Sequence, residues 1–103
     1  MFKREESEHL MTQALKRVQL ALSEVKVITR YKDKKIVYEG IANHDAVVRA
    51  RKVYIEAGEA VGKVRQLLGL TRGEQRPSPK VVRAAELRLD EYRRELERLQ
   101  ALS

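Results

Sequence analysis

The stretch "IANHDAVVRARKVYIEAGEAVGKVRQLLGL", residues 41–70, decides the fold. Ala46, Ala50, Val53, Ala57, Ala60, Val64 and Leu67 recur every three or four positions, and Val47, Tyr54, Val61 and Leu68 widen the same face. That spacing predicts one long amphipathic helix. Asn43 or His44 is placed to cap its start, Asp45 falls in the first turn where negative charge is favoured, and Gly69 suits its end. Gly58 and Gly62 lie inside it, each costing about 1 kcal/mol relative to alanine. Their expected compensation is the close approach of another helix, or a bend at Gly58.

Upstream, "KVITRYKDKKIVYEG" is rich in β-branched and aromatic residues around a polar centre. It reads as a β-hairpin of Val25–Tyr31 and Ile36–Glu39, turning at Lys32-Asp33-Lys34-Lys35 and ending at Gly40. An isolated hairpin is marginal in water, so its apolar face should pack on a helix or pair with another chain. Before it, Met11, Leu15, Val18, Leu22 and Val25, with Ala14 and Ala21, mark a first helix from Glu5 to about Glu24. Ser7 is the expected N-cap.

Downstream, "TRGEQRPSP" is the one linker-like stretch. Ser78-Pro79 then opens a last helix, serine capping and proline first. Val82, Ala85, Leu89, Tyr92, Leu96 and Leu99 are spaced 3, 4, 3, 4, 3, which is a heptad seam. It runs to the C-terminus, and its expected use is to join copies of the chain. Asp90–Arg94 and Glu95–Arg98 are placed to pair on the outer faces. The expected organisation is residues 1–72 as helix, basic hairpin and long central helix, 73–79 as linker, and 80–103 as the heptad-patterned helix. The fold class is mainly α with a β-hairpin (α+β), ordered helix, hairpin, helix, helix, in an oligomer.

At 103 residues the core is small, and such cores are often completed by a partner. High charge (36%) with few aromatics (5%) suits solvated amphipathic helices better than a sandwich or barrel. Absence of cysteine removes disulfides and thiolate chemistry and fits a reducing compartment. No apolar run reaches membrane-spanning length, and the first residues are polar, so a cytoplasmic location without membrane contact is expected.

The net charge of +7 concerns partners rather than fold. It is central: residues 1–25 balance to zero, whereas 26–42 carry five basic side chains against two acids and 43–65 five against three. Lys26, Arg30, Lys32, Lys34 and Lys35 on the hairpin, with Arg49, Arg51 and Lys52 on the following helix, are the candidate DNA-phosphate contacts. Tyr31 and Tyr38 add stacking or hydrogen-bonding capacity. Nothing in the pattern specifies a base code. The alternative is a solvated edge, because lysines often protect exposed strands from pairing.

Other chemistry is weakly signalled. His9 and His44 sit in no metal-ligand spacing, and adjacent His44 and Asp45 do not share a helix face. Glu56 and Glu59 could hold a cation but equally suit a solvated face. "GKVRQLLG" lacks the phosphate-loop spacing, and no nucleophile has its own base. The expectation is a non-enzyme with no cofactor and no metal.

The order of helix, hairpin, "NHD" leading an arginine- and alanine-bearing helix, and then "LLGLTR" resembles the oligomerising region of phage small terminase subunits. There, Asp-His-x-x-Arg-x-x-Ala often begins a helix that ends in Leu-Gly. Asn43, His44, Arg49 and Ala50 approximate that motif in shuffled order, and Leu68-Gly69-Leu70 matches the end, so the likeness covers about residues 25–72. It implies a ring-forming, non-catalytic packaging subunit that recognises viral DNA in the host cytoplasm and delivers it to a large ATPase–nuclease subunit. Many members begin with a helix-turn-helix domain, whereas this chain has one helix before the hairpin. The basic residues would have to serve instead. Two rivals stand beside this reading: an adaptor using hairpin and heptad helix for protein partners, and a small dimeric transcriptional regulator.

Overall fold

The computed structural model describes residues 3–103. Helix α1 spans Arg4–Ser23, strands β1 and β2 span Val27–Lys32 and Lys35–Ile41, helix α2 spans His44–Leu70, and helix α3 spans Pro79–Ala101. A short 3-10 turn, Gly73–Gln75, interrupts the connection before α3. The three helices form an antiparallel bundle, and the expected order of elements is the observed one.

Helical periodicity places the core as expected. Met11, Val18, Ala21 and Leu22 of α1 meet Ala50, Ala57, Val61 and Val64 of α2 in two adjoining apolar clusters. The heptad seam closes both. Val82 and Ala85 pack with Met11, Val61 and Val64, while Leu96 and Leu99 pack with Val18, Leu22 and Ala50; partly exposed Leu89 bridges the two clusters, and Tyr92 packs against the second. The expectation that Val82, Ala85, Leu89, Tyr92, Leu96 and Leu99 join copies of the chain is therefore corrected, since α1 and α2 of the same chain already occupy the seam. The connection after α2 makes this possible. Arg4 donates to the carbonyl oxygens of Arg76 (2.7 Å) and Gly73 (3.3 Å), and the Ser78 N–H donates to Glu8 Oε1 (3.1 Å). Residues 73–79 thus turn α3 back onto the bundle, and 80–103 shares its core instead of standing apart.

Several expected caps have other duties. Helix α1 begins one turn before Ser7, which is buried inside it with no hydrogen-bond partner for its hydroxyl. A small side chain fits the core there, at a desolvation cost. Ser7→Ala should raise stability by about 1–2 kcal/mol in a urea titration. Asn43 precedes α2 but makes no side-chain cap bond. Instead Asn43 Oδ1 accepts from the Lys26 N–H and Asn43 Nδ2 donates to the Glu24 carbonyl, both at 2.8 Å, clamping the base of the hairpin. Helix α2 runs past Gly69 and stops at Thr71, whose N–H and hydroxyl both donate to the Leu67 carbonyl.

Gly58 and Gly62 are approached by no other helix: a Cβ at either position would meet nothing within 4 Å. The expected close contact is absent within the chain. Gly62→Ala should therefore recover most of the helix-propensity cost of about 1 kcal/mol and raise the melting temperature by about 4–8 °C in a thermal scan.

Candidate nucleic-acid interface

The hairpin is an arm. Its strands pair antiparallel from Val27 opposite Ile41 to Lys32 opposite Lys35, with β2 bulged at Val37. Only its base enters the core, through Ile41 and the preceding Val25. Val27, Ile28, Tyr31, Ile36, Val37 and Tyr38 are all exposed, so of the two expected coverings, a helix or another chain, the helices of this chain do not supply one. The dimensions agree. A 27-residue helix is about 40 Å long and a six-residue ribbon about 20 Å, and the molecule measures 61 × 23 × 16 Å.

The turn is a two-residue loop with Asp33 at φ 51° and Lys34 at φ 64°, both left-handed. This is the backbone that matches strand twist, normally supplied by Asn-Gly. Aspartate tolerates it, but a lysine there costs about 1–2 kcal/mol relative to glycine. The arm thus carries a charge at its apex where local preference would omit one. Lys32 and Lys35 face each other beside it, a like-charge pairing that is also locally unfavourable. Further down, Arg30 lies over the Tyr38 ring at 5.6 Å, and that ring in turn covers Gly40, leaving no room for a Cβ at position 40.

The ion pairs lie on the bundle, most of them along α3. On α3, Asp90 binds Arg93 (2.6 Å) and Arg94 (2.7 Å), Arg93 also reaches Glu97, and Arg88 reaches Glu91. The Arg93 hydrogen bond, aided by Arg94, holds the Asp90 carboxyl below its ordinary range, and Arg93 is raised in return. That contribution is present above the ordinary carboxylate range and is lost as acid protonates Asp90 in the folded chain. Glu95 and Arg98, expected to pair, do not appear among the ion pairs of the described residues. Arg65 is held bidentately by Glu86 across α2 and α3. Among the described residues, Lys26, Arg30, Lys32, Lys34 and Lys35 enter no ion pair, as Arg17, Arg51, Lys52 and Lys63 of the bundle also do not; neither Asp33 nor Glu39 neutralises the arm's five.

The eight candidate residues form two groups. Five lie along the arm. Arg49, Arg51 and Lys52 lie on the first turns of α2, about 10 Å from its start. Arg49 is engaged by Glu24 (3.7 Å), both groups exposed, whereas Arg51 and Lys52 line the outer face beside Val48 and Ile55. No three His, Asp or Glu side chains cluster as metal ligands among the described residues, and no described helix is long and apolar enough to cross a membrane. What sequence reasoning missed is the freedom of the arm, because periodicity does not report the angle at which a hairpin leaves a bundle. Comparison with protein-family models, with curated proteins and with solved structures found no match.

Proposed function

We propose that this chain is a non-catalytic DNA-binding subunit that grips the phosphate backbone with its hairpin arm and works as a homo-oligomer. In its sharper form, drawn from the resemblance to phage small terminase subunits, it recognises viral DNA for packaging and passes it to a large ATPase–nuclease subunit. One observation carries the DNA contact: five cations, none in an ion pair among the described residues, are gathered on a projecting arm whose own carboxylates, Asp33 and Glu39, do not neutralise them. Unneutralised charge held away from the fold, partly on strained backbone, is suited to an anionic polymer. No base-reading pattern is present, so affinity should be nearly equal for unrelated duplexes. Fluorescence anisotropy on two unrelated duplexes across a salt series tests this. The expected result is similar affinities and a steep linear fall of log K with log salt. Absence of binding at low salt overturns the proposal.

A second reading has its own support. Six large apolar or aromatic side chains stand exposed on the arm, and both ribbon edges are open. An adaptor would use them to add a partner protein's strand. It predicts an association insensitive to salt and weakened by Ile36→Asp, with the lysines dispensable.

A further inference from the structure

We infer that two copies of this chain pack through the groove between α1 and α2, with their α2 helices antiparallel and crossing at Ala60. This deepens the self-association part of the proposed function and stands apart from its DNA contact. Helix α3 covers one side of the α1/α2 pair; the other side is open. Two hollows there, of about 180 and 390 Å³, meet at Leu10, Glu56 and Ala60. Leu10 of α1 is 43% exposed in the middle of this surface. From α2, Val53, Ala60 and Leu67 line it at intervals of seven, each only partly buried.

The occupant follows from the order of residues on α2. About Ala60 the strip is nearly a palindrome: Val53 lies seven before and Leu67 seven after, Glu56 four before and Lys63 three after. A two-fold axis at Ala60 reverses the helix. It brings Val53 to the partner's Leu67 and Glu56 to the partner's Lys63, twice over. Seven-residue spacing is the interval at which long helices stay in register, and a small residue at the crossing lets the backbones approach. Neither Glu56 nor Lys63 enters an ion pair among the described residues of its own chain. The rim is also neutral: Arg17 and Lys63 balance Glu56 and Glu59. In a protein of charge +7 this face is one on which two copies do not repel, and it offers nothing to a phosphate backbone. The contact closes on itself and yields pairs; a ring would need a second, head-to-tail contact.

The chain has no cysteine, so Ala60→Cys introduces a single thiol on the proposed axis, within the Cα separation a disulfide spans. Without DNA, oxidised A60C should run as a covalent dimer on a non-reducing gel, and Ala84→Cys on the exposed face of α3 should not. Sedimentation equilibrium then reads the charge pair. Glu56→Lys alone and Lys63→Glu alone should each weaken the dimer about tenfold or more, and both in one chain should restore it. Circular dichroism checks that the variants fold. A monomeric wild-type chain, or A60C without crosslinking, overturns the inference. Crosslinking without rescue by the double reversal overturns its register, as does an α2 groove filled only by a helix of another protein. A monomer that still binds DNA leaves the arm's role standing, and a dimer that does not bind leaves this contact standing.

Discussion

Leu96→Asp is expected to unfold the chain, not merely to dissociate it. Leu96 is 4% exposed and packs among Val18, Ala21, Leu22, Ala50 and Leu99, where all three helices meet. Replacing it forfeits about 1.5–3 kcal/mol of apolar burial. It also leaves a carboxylate with no cation in a dry site, costing several kcal/mol more unless it protonates. A small domain has about 5–15 kcal/mol in total, so the variant should lose most of its cooperative unfolding transition at room temperature. Leu87→Asp is the matched control. Leu87 is on the same helix but half exposed, and its substitution should stay within about 0.5 kcal/mol. Circular dichroism during urea titration distinguishes the two. A folded Leu96→Asp chain with reduced assembly mass would show instead that the seam joins molecules.

That contrast marks where sequence reading stops. The apolar spacing of Met11 to Leu22, Ala46 to Leu68 and Val82 to Leu99 was legible, because a helix face buried anywhere must repeat every three or four residues. Which surface covers that face is a separate matter. A heptad strip reads the same whether it meets its own chain or another. Here the turn at residues 73–79, pinned by Arg4 and Glu8, settles it, and those partners lie about seventy positions away in sequence. Caps failed for a related reason. Ser7, Asn43 and Gly69 have the right chemistry for helix ends, yet Ser7 is taken by the core and Asn43 by the hairpin base, while Thr71 ends α2 in place of Gly69. The charged arm was legible as composition: Lys32, Lys34 and Lys35 crowd a four-residue turn. Its exposure on both faces was not, since Val27, Ile36 and Tyr38 alternate as a half-buried strand would.

Changing Lys32, Lys34 and Lys35 together to alanine should produce the largest functional loss. These three lie at the arm's tip, where the ribbon is narrowest and most free to meet a duplex. Each phosphate contact contributes about 0.9 to the slope of log K against log salt, so losing three should flatten that slope by about 2.7. Over a fourfold rise in salt, wild type should then lose about fortyfold more affinity than the variant. The loss should be the same on unrelated duplexes, because backbone contacts carry no sequence information. In a homo-oligomer the deficit grows, since several arms meet one duplex. Arg72, Lys80 and Arg83, at the opposite end of the bundle, serve as the control: alanine at all three removes equal charge without touching the arm. Fold is secure in either variant, as all six side chains are exposed. Equal weakening by both triples would reduce the attraction to the general field of a cationic protein. A loss confined to the tip variant assigns the grip to the arm's apex, where Lys34 holds a left-handed position that local backbone preference would have given to glycine.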